Sequence, residues 1–185
     1  MAKKRVLMIL AEGFEEIEAV APIDVMTRAG IEVTVAGLLP GAVKAAYGTT
    51  ILPNTSIDQI SGLYDGIVFP GGRKNAQALA AHPKVVSLAR EHYRAGKMVA
   101  AICAAPSHVL GEAAGLLKGR RATGDPTFND KLAASGAIIT DEVVTVDGNL
   151  ITGMGPGAAM PFALRLAEYL ADKATADAFA TKWRV

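Results

Sequence analysis

The chain has 185 residues, 51% of them hydrophobic and 20% charged, a balance that excludes an intrinsically disordered polymer and fits one globular domain over residues 1–185. Lys and Arg number 19 against 18 Asp and Glu, and the resulting net charge of +1 provides no electrostatic footprint for nucleic acid. The single cysteine, Cys103, excludes an internal disulfide and any multi-cysteine metal site.

Residues 1–5 are basic and residues 6–11 apolar. That run is shorter than the ~7–15 residues of a signal-peptide core. The acidic Glu12, Glu15, Glu16 and Glu18 follow it, so the expectation is a first strand in a cytoplasmic protein. No apolar stretch reaches the ~20 residues that span a bilayer. Residues 15–29 predict a helix closed by Gly30. Residues 32–38 (EVTVAGL) and 65–70 (DGIVFP) predict two further strands, and 75–95 one or two helices ending near Gly96. Residues 98–102 (MVAAI) predict another buried strand and 104–114 a helix. Within 143–152 (VVTVDGNLIT), Asp147-Gly148 separates two short runs, which is a hairpin signal. Residues 158–172 predict a last long helix and 174–183 one more.

This alternation predicts an α/β fold, a mostly parallel sheet with helices on both faces and a short β-hairpin. Sites in such sheets form beyond the carboxyl ends of the strands. Four segments are therefore expected to converge: 11–14, Gly71-Gly72, 103–105 and 153–157.

Cys103 follows MVAAI directly and precedes Ala104-Ala105-Pro106. Proline is tolerated in a helix's first turn, which puts Cys103 at a helix N-terminus. Free amides and the helix dipole there favour an anion, so the thiol pKa is expected to be lowered. Ala101 and Ala105 flank it as small residues flank a nucleophile elbow, without matching that motif. The alternative is a buried structural cysteine. Gly71-Gly72 allow close backbone approach, and their amides could hold an oxyanion; the alternative is an ordinary strand-to-helix turn. Gly155-Pro156-Gly157 lacks the Lys-Ser/Thr of a phosphate-binding loop, and no dinucleotide fingerprint follows the first strand.

Helical spacing separates the glutamates. Phe14, Ala21, Pro22 and Val25 share a face with Glu18, whereas Glu16 sits roughly 160° away. A carboxyl among apolar neighbours has a raised pKa, so Glu18 can donate a hydrogen bond or act as a base. Glu15, about 60° around, is the reserve. For Glu12 and Glu16 the plain reading is acids that complement the helix dipole. His82, His92 and His108 offer no obvious base; His108 in particular is not expected to stack on the first turn after Cys103. No spacing suggests a metal site.

The segments KRVLMILAEGFEEIEAVAPIDVMTRAG, FPGG, AAICAAP and GPGAAMPFAL, in that order, resemble the ThiJ/PfpI superfamily and its DJ-one branch nearly end to end. The resemblance implies a flavodoxin-like three-layer sandwich working as a homodimer without a cofactor. It implies a nucleophilic Cys103, an acid partner Glu18, and oxyanion or substrate contacts at Gly72, Ala104 and Gly71. Asp125 stands where the branch often has His, and Met154 where it often has Arg; either Asp125 takes over the proton or polar contact, as a third catalytic residue, or that third role is absent. Arg28 is read as a basic group near the dimer contact. The implied activity is on small-molecule dicarbonyls such as methylglyoxal and glyoxal, as a glyoxalase or deglycase. The alternative is a cysteine-based oxidative-stress sensor or stress protein. Ala104, where a peptidase-like branch has His, argues against a peptidase.

Overall fold

The computed structural model describes residues 3–185; Met1 and Ala2, the start of the domain read over 1–185, lie outside the described residues. The strands are β1 (Arg5–Leu10), β2 (Glu32–Gly37), β3 (Val43–Lys44), β4 (Thr50–Ile51), β5 (Thr55–Ser56), β6 (Gly66–Phe69), β7 (Met98–Ile102), β8 (Arg121–Ala122), β9 (Ile138–Ile139), β10 (Val144–Asp147) and β11 (Leu150–Gly153). The helices are α1 (Glu16–Arg28), α2 (Arg73–Ala81), α3 (Pro83–Arg94), a π-wound helix over Pro106–Ala113, α4 (Asn129–Ala134), α5 (Ala159–Leu170) and α6 (Lys173–Trp183).

Seven strands form one sheet in the order β10-β11-β7-β6-β1-β2-β5. Every neighbouring pair in it is parallel except the β10–β11 hairpin. Strand alternation splits the core into two layers. Leu7, Ile9, Ile67, Phe69, Val99 and Ala101 face α2, α3 and the π-wound helix through Leu79, Val85, Leu88 and Val109. Val6, Met8, Leu10, Val68, Ala100 and Ile102 face α1 and α5 through Met26, Phe162 and Leu166. Each such side chain contributes roughly 1.5–3 kcal/mol by leaving water. The result is the expected flavodoxin-like sandwich.

The elements differ from their sequence-based outlines in a few places, each with a physical reason. Residues 75–95 form two helices because His82, extended at ψ 115°, precedes Pro83, which disfavours helical backbone before it. In the hairpin, Asp147 pairs with Leu150, so the two-residue turn is Gly148-Asn149, one position later than read. Gly148 supplies the positive φ of 64° that this turn requires. The helix after Cys103 winds as a π-helix starting at Pro106 instead of an α-helix starting at 104.

Asn75 locks the crest of the sheet. It is fully buried; its Nδ2 donates to the carbonyls of Pro70 (2.8 Å) and Gly71 (3.0 Å), and its Oδ1 accepts from the Ala11 amide (2.7 Å). One side chain thus ties the end of β1 to the end of β6. Asn75→Ala removes the bonds to the Ala11 amide and the Pro70 carbonyl and leaves the Gly71 carbonyl only the Glu15 amide, and is expected to cost about 2–4 kcal/mol. Thermal denaturation reads this as a fall in Tm of about 5–15 °C, and a Tm unchanged from the parent contradicts the assignment.

Candidate active site

Cys103 is held in a conformation that few residues other than glycine adopt. Its φ is +65°, and with Arg184 it is one of two non-glycine residues at positive φ among the described residues. Such backbone costs of order 1–3 kcal/mol and persists only where its surroundings enforce it. Here the Cys103 amide donates to the Gly153 carbonyl (2.9 Å), and the Cys103 carbonyl accepts from the Asp125 amide (2.9 Å). A Cβ on Gly124 would come within 3.1 Å of that carbonyl, so a small residue is required beside it. These contacts stand the half-buried thiol up at the junction of the two core layers.

The buried His108 returns over the first turn at ordinary i,i+4 spacing: its amide donates to the Ala104 carbonyl (3.2 Å), and its Nδ1 lies 2.9 Å from that carbonyl and 3.0 Å from Ser107 Oγ. The expectation that His108 does not stack there is therefore corrected, because the helical repeat that reaches it starts from Ala104, one residue after Cys103. The His108 ring packs edge-on against Phe128 with 4.7 Å between centroids.

Glu18 lies beneath this turn and is 0% exposed. Its Oε2 accepts from the Gly71 amide at 2.9 Å, and its Oε1 is buried without a hydrogen-bond partner. The Glu18 amide in turn donates to Glu15 Oε2 (2.8 Å), which caps α1. Gly71 is the divider between acid and thiol: a Cβ there would collide with Glu18 Oε2 and with Cys103 Cβ. The Gly71 amide is spent on the acid, so the oxyanion contact expected of Gly71 is replaced by a positioning role. The Gly72 amide is the one that faces the sulfur. Gly72 itself sits at φ +84°, and a Cβ there would strike the Gly13 carbonyl.

Burial pushes the Glu18 carboxyl up to about 7; the Cys103 contact opposes that rise and the Glu15 charge adds to it. Burial also pushes the Cys103 thiol up to about 12, aided by the Glu18 and Asp125 carboxylates and opposed by the Gly72 amide. This reverses the lowered thiol pKa expected from the helix N-terminus. Loss of solvent and a facing acid outweigh the dipole. The two groups accommodate about one negative charge between them, on the sulfur only while Glu18 keeps its proton.

An open cavity of about 670 Å³ lies above the sulfur, lined among others by Glu12, Gly13, Gly72, Cys103, Ala104 and Pro156. All four segments expected to converge contribute to it. Asp125 is on its wall, with Oδ1 accepting from the Thr127 amide (2.9 Å) and hydroxyl (2.7 Å) and Oδ2 3.9 Å from Sγ. Arg28 is not brought to the cavity. It pairs with Asp24 at 2.8 Å near the far end of α1, about 15 Å from Glu18 at 1.5 Å per residue. Lys44, Tyr47, Arg73, Lys74 and Phe128 also line the cavity and were not singled out from sequence. They sit on a two-residue strand, a turn and helix starts, which carry no periodic signal.

A three-layer α/β sandwich with a strained cysteine at a strand-to-helix elbow and a buried acid below it is the class of protein that fold and site define here. This chain belongs to the DJ-1/PfpI family, whose profile matches residues 4–169. It is 44% identical over 172 residues to protein dj-1beta of Drosophila melanogaster, covering 92% of this chain and 91% of that protein. The crystal structure of Drosophila DJ-1beta matches with a TM-score of 0.94 over 100% of this chain and 99% of that one, at 41% identity. A deglycase of Thermococcus kodakarensis is 33% identical over 154 residues, 83% of this chain and 91% of that protein. An oxidised Toxoplasma gondii DJ-1 has a TM-score of 0.91 and 35% identity over 97% of each chain.

Charge sharing sets the sign of one experiment. Glu18→Gln removes the anion that opposes thiol ionisation, so the pH midpoint of Cys103 alkylation is expected to fall by about one unit or more. A midpoint that stays put or rises contradicts the coupling.

Proposed function

We propose that this chain is a cysteine-dependent glyoxalase or deglycase acting on reactive dicarbonyls, with Cys103 as nucleophile and Glu18 as the proton carrier. The observation that carries the reading is the left-handed Cys103, set over a buried acid whose pKa lies near 7 and open to a cavity of substrate size. The deglycase from Thermococcus supports it at the level of the family.

In the proposed reaction Sγ attacks the aldehyde carbon of methylglyoxal and a carbon–sulfur bond forms. The carbonyl electrons move to oxygen, where the amides of Gly72 and Ala104 stabilise them, and that oxygen takes a proton. Glu18 as carboxylate removes the hydrogen on the attacked carbon and returns a proton to the adjacent carbon through an enediol. The first carbon is thereby oxidised and the second reduced, so no external cofactor enters. Water cleaves the resulting thioester, releasing lactate and restoring the thiol. Asp125, 3.9 Å from the sulfur, orients substrate or water. The proposal places this chemistry in the cytoplasm; no helix among the described residues is long and apolar enough to cross a membrane. It also includes a homodimer, supported by Ile17 (55% exposed) and Val20 (46%) on the outer face of α1. Light scattering then gives twice the 19.2 kDa chain mass.

A second reading, a thiol oxidation sensor, is favoured by one detail. Glu18 Oε1 lacks a partner; protonated, it could donate to an oxygen placed on the sulfur. Peroxide would supply both oxygens of a sulfinate, and no second cysteine is present to resolve the first oxidation as an internal disulfide. The oxidised Toxoplasma relative supports this at the level of the family.

Purified protein incubated with methylglyoxal separates the two. The enzyme reading predicts lactate, lost in Cys103→Ala and reduced about 10²-fold or more in Glu18→Gln. Equal turnover in Cys103→Ala removes the mechanism. Negligible lactate together with a peroxide product about 32 Da heavier favours the sensor.

A further inference from the structure

We infer that Arg73 makes the mouth of the Cys103 cavity a reader of anionic carbonyl compounds, taking the carboxylate or phosphate substituent of an oxoaldehyde or of its adduct. The inference names the substrate class of the site proposed above and rests on that reading for its chemistry. Its charge argument stands on the cavity wall alone.

Three cations and three acids line the cavity: Lys44, Arg73 and Lys74 against Glu12, Glu15 and Asp125. Most of these charges are already engaged. Lys74 Nζ pairs with Glu12 Oε1 at 2.7 Å. Glu15 is buried and its Oε2 accepts from the Glu18 amide. Asp125 Oδ1 accepts twice from Thr127, and its Oδ2 faces the sulfur. Arg73 forms no ion pair among the described residues, and neither does Lys44.

Arg73 is unpaired but not loose. Its guanidinium lies over the Phe128 ring, 5.2 Å from the centroid. That ring is packed edge-on by His108, which in turn is bonded to the Ala104 carbonyl on the first turn after Cys103. A guanidinium that rests over a ring spends no N–H donor on that contact, and its planar fork of donors matches a carboxylate or phosphate. The chain also sets the spacing. Gly72, whose amide faces the sulfur, is the residue immediately before Arg73. A substrate whose carbonyl oxygen is held by that amide therefore reaches Arg73 with a substituent only a few bonds from the attacked carbon. The N-terminus of α2 lacks a side-chain cap, so its first-turn amides add positive potential on the same side. A small neutral dicarbonyl uses the Gly72 amide but leaves Arg73 unused.

The test is the charge selectivity of Cys103 alkylation, measured at low ionic strength as the ratio of the rates with iodoacetate and with iodoacetamide. Taking the ratio cancels any general change in thiol reactivity. The expected result is a ratio about threefold to fivefold lower in Arg73→Ala, partly restored in Arg73→Lys, and lowered less in Lys44→Ala; added salt should reduce the wild-type ratio. Inorganic phosphate and acetate as competitors distinguish the two anion types: the preferred one slows the iodoacetate reaction in the wild type more than in Arg73→Ala. An unchanged ratio in Arg73→Ala, competition by neither anion, or no reaction with either reagent overturns the inference. Loss of selectivity in Arg73→Ala alongside absent methylglyoxal turnover would leave the anion reader standing and remove the enzyme reading.

Discussion

A single negative charge divided between a sulfur and a carboxyl is the constraint on which the site depends. Burial raises the pKa of both groups and both face a third acid at Asp125; the Glu18 carboxylate opposes ionisation of the thiol, while the neutral thiol's contact favours the carboxylate. The backbone offers each a single amide, Gly71 to the carboxyl and Gly72 to the sulfur. Consecutive amides on one turn thus address the two halves of one ionisable unit. Moving the proton between Glu18 and Cys103 moves the negative charge from a base to a nucleophile without admitting a second charge to a poorly solvated place.

The fold builds this arrangement by bringing three strand ends together. β1 leads through the Glu12-to-Glu15 turn into α1 and so delivers Glu18; β6 ends at Gly71-Gly72; β7 ends at the elbow. Glycine at 71 is required because acid and thiol press against it from two sides, and glycine at 72 because the backbone turns left-handed against the 13–15 segment. His108, four residues after Ala104, comes back to the elbow and packs edge-on against Phe128 on the cavity wall. The strain stored at Cys103 is thereby held from β11, from the Asp125 loop and from the helix that follows.

How much of this was legible beforehand depended on periodicity. Continuous apolar runs such as MVAAI and RVLMIL announced strands covered on both faces, and the position of Glu18 on the Phe14–Val25 face announced a buried acid. The strand ends then named four of the segments around the cavity. What the pattern did not carry was short-range or three-dimensional. The two-residue strands β3, β4, β5, β8 and β9 are too brief for a period, so Lys44 and Tyr47 went unnoticed. Arg73 carries no sequence signal because its support, Phe128, lies 55 positions later in the chain. The π winding has no sequence period of its own, and the thiol's raised pKa comes from burial and a facing carboxylate, neither of which a helix-dipole argument contains.

The account's central claim is that Glu18 holds its proton far above the ordinary carboxyl range because it lies buried beside Cys103. Carbon NMR of the Glu18 side-chain carboxyl, followed through pH in the wild type and in Cys103→Ala, measures this directly. The account predicts a midpoint at about 7 in the wild type and a higher one in Cys103→Ala, where the sulfur contact that favours the carboxylate is gone. A carboxyl titrating near its ordinary ~4.3 in both proteins would contradict it.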